Sequence, residues 1–137
     1  MKIGLIGAGR LGICLALLIE KAGYEVLASD NRVDYINSLQ KGIIDTAEPE
    51  VQQYLSNAKN IEFTTDNLRV ISECDLIFTL VATPSLADGS YDVSAVWKVI
   101  NDFKDIPILL DEKSLVIGCT TNPVSYTHLR AHETLPY

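Results

Sequence analysis

The sequence predicts an α/β fold, with a doubly wound parallel sheet that carries helices on both of its faces. Strand-like runs of aliphatic and β-branched residues alternate with amphipathic helical segments, which is the order that parallel βαβ units produce. One run, residues 75–81, has the near-continuous apolar character of a central strand covered on both faces. With 137 residues, 47% of them hydrophobic and 21% charged, the chain can bury one proper core.

The start of the chain carries the strongest functional signal. An apolar strand leads into Gly7-Ala8-Gly9-Arg10-Leu11-Gly12, and a helix is predicted over residues 11–22. Gly7 allows a sharp turn, Gly9 leaves room for a pyrophosphate, and Gly12 permits close packing of the helix on the sheet. The helix N-terminus then faces the phosphates. This stretch predicts a dinucleotide site in a Rossmann-type sheet, and the alternative is a plain βαβ unit whose glycines serve only packing.

An acid follows the second predicted strand at the distance that a dinucleotide site requires. Asp30 lies eighteen residues after Gly12, near the value of about 20 expected of the acid that binds the adenosine ribose. A carboxylate there accepts hydrogen bonds from both ribose hydroxyls and repels a 2′-phosphate, so NAD is favoured over NADP. Arg32 keeps NADP open, because a guanidinium can pair with that phosphate; the alternative for Arg32 is a solvated charge in the next helix.

The middle of the chain continues the alternation with four short elements. In chain order they are predicted as a helix over residues 31–40, a short helix over 51–56, a strand over 60–65 and a short helix over 67–72. Asn31 is the expected N-cap of the first helix, and Thr65 or Asp66 that of the last.

The central strand ends at a polar turn, Ala82-Thr83-Pro84-Ser85. Ligands of open α/β sheets bind outside the carboxyl ends of the strands, which puts this turn near a bound cofactor. The alternative is an ordinary turn in which Pro84 stops the strand and Thr83 caps its own backbone. The remaining elements are predicted as a helix over residues 93–103, a connection over 106–112, and a fifth strand over 114–118 that a second polar turn follows.

Composition argues against several classes of function. The net charge of −7 leaves no basic stripe for nucleic acid, and no segment reaches the roughly 18 apolar residues that cross a bilayer. Glycines interrupt the apolar start, which is therefore not read as a signal peptide. Cys14, Cys74 and Cys119 are odd in number and form no C-x-x-C pair. We expect buried, non-catalytic thiols in a cytoplasmic protein.

Six pieces of the sequence occur together in one order. They are residues 2–9, Glu48-Pro49, residues 63–66, residues 81–85, residues 88–92 and residues 116–120. Together they resemble the N-terminal NAD-binding domain of the UDP-glucose/GDP-mannose dehydrogenase family, over nearly the whole of residues 1–123. The Phe-Thr-Thr-Asp piece at 63–66 and the Thr-Pro-Ser piece at 83–85 are particular to this family.

The resemblance implies NAD as the cofactor and gives roles to individual positions. Leu11 would contact the cofactor from the glycine turn, Asp30 would bind the ribose, and Thr83 and Thr120 would lie beside the nicotinamide half. The full set of candidate cofactor-binding residues is Gly7, Gly9, Arg10, Leu11, Gly12, Asp30, Arg32, Val81, Thr83, Pro84 and Thr120. The family often carries a lysine or arginine five residues after the ribose acid. Tyr35 stands there in this chain, and Arg32 is the expected substitute.

The resemblance also implies a reaction. Family members oxidise the C6 alcohol of a nucleotide sugar, such as UDP-glucose, UDP-N-acetylmannosamine or GDP-mannose, to a carboxylate in two NAD-dependent steps through a cysteine thiohemiacetal. The implied parent enzyme is a homodimer or larger. In the family the cysteine and the sugar pocket lie beyond the matching region, so we expect this chain alone to bind cofactor without turnover. The alternative, from another class, is a non-enzymatic module that senses NAD or another nucleotide.

The last fourteen residues depart from family sequence. The stretch 124–134 resembles one reading frame of a sequencing adapter. We therefore expect an NAD-binding domain over residues 1–123, a non-native tail over 124–137, and a sheet that is incomplete on its C-terminal side. His128 and His132 would share one helix face, but no third ligand is apparent, and no metal site is expected.

Overall fold

A computed structural model describes residues 1–104 and 113–119 of the chain. The strands are β1 (Lys2–Ile6), β2 (Glu25–Ser29), β3 (Ile61–Thr64), β4 (Leu76–Thr79) and β5 (Ser114–Ile117). The helices are α1 (Arg10–Lys21), α2 (Val33–Gln40), α3 (Val51–Asn57), α4 (Asn67–Glu73) and α5 (Ser94–Lys104). All strand pairs are parallel, and the sheet order is β3-β2-β1-β4-β5. The predicted Rossmann-type α/β fold is confirmed.

Strand β1 lies at the centre of the sheet, and its side chains serve two cores. Leu5 packs with Ile13 of α1 in the core on one face, while Ile6 packs with Val70 of α4 in the core on the other. All four side chains are almost fully buried. Each burial of this kind contributes about 1.5–3 kcal/mol, so the apolar alternation along β1 holds helices against both faces of the sheet.

Helix α2 begins two residues later than predicted, and Asn31 is not its N-cap. Arg32 occupies the cap position with extended backbone angles, and no side chain caps the helix there. The backbone N–H of Arg32 instead donates to the Asp30 carboxylate at 3.0 Å. The acid that closes β2 therefore fixes where the next helix begins.

The N-terminus of α4 shows which of the two candidate residues, Thr65 or Asp66, caps the helix. The carboxylate of Asp66 accepts hydrogen bonds from the backbone N–H groups of Leu68 and Arg69, at 3.0 and 3.4 Å, so Asp66 is the N-cap rather than Thr65. Asn67, the first residue of α4, follows this cap and accepts a hydrogen bond from the Ser29 hydroxyl at the end of β2.

Three predictions concern residues outside the described part of the chain. They are the connection over residues 106–112, the contact by Thr120 and the tail over residues 124–137. Of the helices in the described part, none has the length and apolar character needed to cross a membrane.

Candidate functional site

A cleft of about 520 Å³ opens at the carboxyl ends of β1 and β4. The sheet reverses its strand order there, since β2 lies on one side of β1 and β4 on the other. The cleft is lined by the glycine turn, the end of β2, the first residue of α4, the turn after β4 and one side of α5. Six of the predicted site residues line it, namely Gly7, Gly9, Arg10, Asp30, Arg32 and Val81.

The three glycines of the turn have separate structural roles. Gly7 has a φ of +97°, which favours glycine, and its N–H donates to the Ser29 carbonyl at 2.9 Å. A Cβ on Gly12 would overlap the carbonyl oxygen of Gly7, so α1 could not approach the turn with a larger residue there. A Cβ on Gly9 would find no atom nearer than Arg32 Nη2, at 3.9 Å. The space in front of Gly9 is therefore open to a ligand.

The start of α1 fits a bound pyrophosphate. The helix begins at Arg10, and its N-cap Gly9 provides no side-chain hydrogen bond to the first amide groups. These N–H groups have no partner within the helix and carry its positive dipole end, so a phosphate can accept from them. The turn and the open space at Gly9 together form the cradle that a dinucleotide pyrophosphate needs.

Arg10 connects this cradle to the acidic loop before α3. Its Nε donates to Glu48 Oε1 at 2.6 Å, and its side chain is 82% exposed. Glu48 belongs to the Glu48-Pro49 piece on which the family resemblance partly rests. The ion pair ties that loop to the phosphate end of the cleft.

Asp30 lies at the end of β2 with a side chain that is only 8% exposed. Arg32 forms a two-pronged ion pair with it, from Nε to Oδ1 at 2.8 Å and from Nη2 to Oδ2 at 3.1 Å. Burial by itself raises the pKa of Asp30, but the hydrogen bonds from the Arg32 side chain and backbone outweigh it and hold the pKa below its usual value. Asp30 is therefore a carboxylate anion in the cleft, and both of its oxygens accept hydrogen bonds from Arg32.

The ring of Tyr35 packs against the Arg32 guanidinium. The Arg32 guanidinium lies 4.1 Å from the centre of the Tyr35 ring, a cation–π distance. The Tyr35 hydroxyl donates to the Ala8 carbonyl at 2.6 Å. Tyr35 therefore brings no charge to the site, as predicted, but it holds the Arg32 cation beside Asp30 and the glycine turn.

Three polar residues of the cleft, Asn31, Asn67 and Lys98, were not predicted as site residues from the sequence. Asn67, the first residue of α4, lines the cleft and accepts a hydrogen bond from the Ser29 hydroxyl at 2.7 Å. Lys98 lines it from α5, one turn after Ala95. The apolar spacing of α5 identifies the side of the helix that faces the sheet, but it does not show which polar residue of the helix lines a neighbouring cleft.

Four predicted residues do not form the cleft wall. Gly12 packs inside, Leu11 is 67% exposed, and Thr83 and Pro84 lie in the loop after β4. The Pro84 carbonyl accepts from the N–H of Asp92 at 2.8 Å, which closes that loop. The proposed contacts of Leu11, Thr83 and Pro84 with the cofactor stay predictions, as does that of Thr120.

The cysteines are free thiols. Burial raises the pKa of Cys74 to about 11 and also raises that of Cys119. Because the thiolate is the nucleophile, neither group is activated for covalent chemistry. In residues 1–104 and 113–119, no three His, Cys, Asp or Glu residues are grouped so that they could hold a metal ion. His128 and His132 lie outside those ranges.

Comparison with known proteins agrees with the geometry. The model of the UDP-glucose/GDP-mannose dehydrogenase family, NAD binding domain, matches residues 1–134. The YtcA protein of Bacillus subtilis (strain 168) is 31% identical over 123 residues, which cover 90% of this chain and 28% of that protein. The UDP-glucose 6-dehydrogenase of Rhizobium meliloti (strain 1021) is 30% identical over 128 residues, 90% of this chain and 29% of that enzyme.

A solved structure shares the fold. The GDP-mannose dehydrogenase of Pseudomonas aeruginosa superposes with a TM-score of 0.85 at 22% identity, over 94% of this chain and 30% of that one. This chain thus spans less than a third of the length of these relatives. The boundary predicted at residue 123 stays a prediction.

Proposed function

The chain belongs to the UDP-glucose/GDP-mannose dehydrogenase family, as an NAD-binding domain, and from this premise we propose that NAD binds in the cleft beside the glycine turn. The observation that carries the proposal is the open space at Gly9 in front of the uncapped start of α1, with the ionised Asp30 at its edge. The cofactor supplies the hydride acceptor, and the protein binds and orients it.

Each part of the cofactor is assigned to named groups. The first amide groups of α1 hold the pyrophosphate, with Arg10 at its side. The carboxylate of Asp30 accepts from the adenosine ribose hydroxyls. The family resemblance assigns Thr83 and Thr120 to the nicotinamide half, and Leu11, Val81 and Pro84 are proposed as further cofactor contacts.

The parent enzyme is proposed to oxidise the C6 alcohol of a nucleotide sugar to a carboxylate. The reaction delivers two hydrides to two molecules of NAD and takes one oxygen atom from water. The names of the relatives support a UDP-glucose, UDP-N-acetylmannosamine or GDP-mannose substrate. A nucleotide-sensing module is not favoured by these relatives.

The proposal extends to the setting of the parent enzyme. We place it in the cytoplasm as a homodimer or larger assembly, with no nucleic acid or membrane partner. Support comes from the net charge of −7 and from the free thiols.

Calorimetric titration of the 137-residue chain with NAD tests the cofactor proposal. We expect saturable heat from the wild type and a Kd at least about tenfold higher for Asp30→Ala, because two charge-assisted hydrogen bonds are lost. Asp34→Ala, on the exposed start of α2 outside the cleft, is the matched control. No heat from folded wild type, or equal affinity in Asp30→Ala, would refute the proposal.

The reaction is tested with the full-length parent enzyme. Incubation with each of the three nucleotide sugars and NAD should yield two NADH for every sugar acid formed from one of them. A yield of one NADH would indicate that oxidation stops at the aldehyde, and no NADH with any sugar would contradict the assigned substrate class.

A further inference from the structure

Asn67 lines a part of the cleft to which the cofactor assignment above gives no residue. It is the first residue of α4, and it lines the cleft together with Asp30. Its side chain also contacts β2, because the hydroxyl of Ser29 donates to Asn67 Oδ1 at 2.7 Å. Ser29 directly precedes Asp30, the residue assigned to the adenosine ribose. Asn67 therefore lies at the adenosine end of the cleft.

Apolar side chains line the cleft where α5 packs beside α4. Val70, one turn after Asn67, packs with Val99 of α5 in the same buried core. Val99 also lines the cleft, as does Ala95 one turn before it. Ligand sites commonly combine an apolar surface with a few polar groups that fix the orientation of the ligand. A flat heteroaromatic ring can therefore lie against this apolar surface while its polar edge meets the Asn67 amide.

A buried partner holds the Asn67 amide in place. Ser29 is 0% exposed, so water cannot replace Asn67 as the acceptor for its hydroxyl, and an unpaired hydroxyl there would be costly. The N-cap Asp66 fixes the backbone just before Asn67, since its carboxylate accepts from two N–H groups of the first turn of α4. The amide is thus fixed both by its backbone and by its side-chain oxygen.

The Asn67 amide keeps hydrogen-bonding capacity for a ligand. A carboxamide nitrogen carries two N–H donors, and its oxygen has two acceptor positions. Oδ1 uses one acceptor position for Ser29. Within residues 1–104 and 113–119, no group accepts from Nδ2, and Nδ2 is not among the buried atoms that lack a partner. A donor and an acceptor are therefore free side by side, and this pair complements the amino group of adenine and the ring nitrogen next to it.

We propose that Asn67 pairs with the adenine base of the dinucleotide, with Nδ2 donating to a ring nitrogen and Oδ1 accepting from the exocyclic amino group. Ser29 is the positioning residue that holds the amide for this contact. The inference rests on the proposed cofactor site, and it adds to that site a residue that selects adenine over other bases carried on the same sugars and phosphates.

The test compares NAD with nicotinamide hypoxanthine dinucleotide in parallel calorimetric titrations of the full 137-residue chain. The two ligands have the same sugars and phosphates, but hypoxanthine carries an oxygen where adenine carries the amino group. That oxygen would place a second acceptor against Asn67 Oδ1. For the wild type we expect the Kd of the hypoxanthine dinucleotide to exceed that of NAD by at least about fivefold.

Substitutions then assign this preference to the amide. Asn67→Ala should reduce the ratio of the two Kd values to less than about twofold, mainly by weakening NAD, because the paired donor and acceptor are lost. Ser29→Ala leaves the amide in place without its anchor, so its ratio should fall between those of the wild type and Asn67→Ala. Asn57→Ala, at the end of α3 and outside the cleft lining, should leave the ratio unchanged.

Asn67→Ala leaves the buried Ser29 hydroxyl without its acceptor, so denaturant unfolding checks that this variant folds. If it does not, the double variant Ser29→Ala/Asn67→Ala removes both partners and takes its place in the test. Equal Kd values for the two dinucleotides in the wild type, or a preference for NAD that survives the loss of the amide, would overturn this inference and leave the NAD proposal intact. If neither dinucleotide binds the folded wild type, the proposed cofactor site itself is wrong.

Discussion

Gly9 and Gly12 are three positions apart, yet alanine should have different consequences at each. Gly12→Ala places a Cβ against the Gly7 carbonyl oxygen, and backbone cannot yield as a side chain can. We expect the free energy of unfolding to fall by about 2–3 kcal/mol. Gly9→Ala meets open space and should cost about 1 kcal/mol or less.

Denaturant unfolding and NAD titration separate the two roles. Gly9→Ala should bind NAD more weakly than the wild type, because its methyl group occupies the approach to the backbone. Equal destabilisation by the two substitutions would contradict the distinct roles assigned to them.

The ion pair of Asp30 and Arg32 should make stability depend on pH in the acid range. The pKa of Asp30 is lowered below its ordinary value of 3.8 in the folded chain. Its contribution is therefore present above that ordinary value and is lost as the pH falls through the lowered one. At neutral pH, Asp30→Asn should be less stable than the wild type by about 1 kcal/mol, since Arg32 is partly exposed.

Denaturant titrations from neutral to strongly acidic pH measure this difference. It should shrink to nothing once Asp30 is protonated in the wild type, and Arg32→Gln should show the same convergence. A constant difference across the range would mean that the carboxylate charge is not what stabilises the pair.

Single residues show which parts of the site a sequence can and cannot provide. Asp30 was found because its spacing from the glycine turn follows from the length of one helix and one strand. The two-pronged contact of Arg32 was not found, because it depends on a rotamer that the Tyr35 ring supports. Lys98 was missed for a related reason, since it is far from the turn in sequence and reaches the cleft only through the packing of α5.

The N-terminus of α4 offers a prediction at the level of one element. Asp66→Ala removes the side chain that accepts from two backbone N–H groups and should lower the free energy of unfolding by about 1 kcal/mol. Asp66→Asn keeps the cap and should retain most of that stability. Because Asn67 follows the cap and lines the cleft, Asp66→Ala should also weaken NAD binding.

Unfolding curves and NAD titrations of both variants provide the measurement. If Asp66→Asn loses as much stability as Asp66→Ala, the side chain is not acting as an N-cap.

Elements were easier to predict than their ends. All ten described elements follow patterns visible in the sequence, yet β4 pairs only over Leu76–Thr79, although the near-continuous apolar run extends to residue 81. Its neighbour β1 ends at Ile6, opposite Thr79, where Gly7 turns the chain away. The length of a strand is thus limited by its partner, which the pattern of one segment does not contain.

For the whole molecule, we propose that residues 1–123 form the NAD-binding domain. A chain that ends at residue 123 should keep the NAD affinity of the 137-residue chain and unfold within about 2 °C of it, corresponding to less than about 0.5 kcal/mol. Calorimetry and thermal melts of both chains provide the comparison. A large drop in melting temperature would assign residues 124–137 to the folded unit.

The fold class could be predicted because the pattern within each segment and the order of the segments along the chain indicate the same structure. The strands alternate with helices, and the apolar residues of β1 supply both cores. Such agreement between levels favours one structure. The charges of the cleft were less readable, since Arg10, Arg32 and Lys98 come together there from α1, from the residue before α2 and from α5.

The bond from the Tyr35 hydroxyl to the Ala8 carbonyl joins α2 to the glycine turn. The glycine turn, where we propose that the pyrophosphate binds, and α2, whose Tyr35 contacts the Arg32 guanidinium, are therefore linked by one hydrogen bond. A movement of the glycine turn would therefore reach, through Tyr35, the guanidinium of Arg32 that lies against its ring.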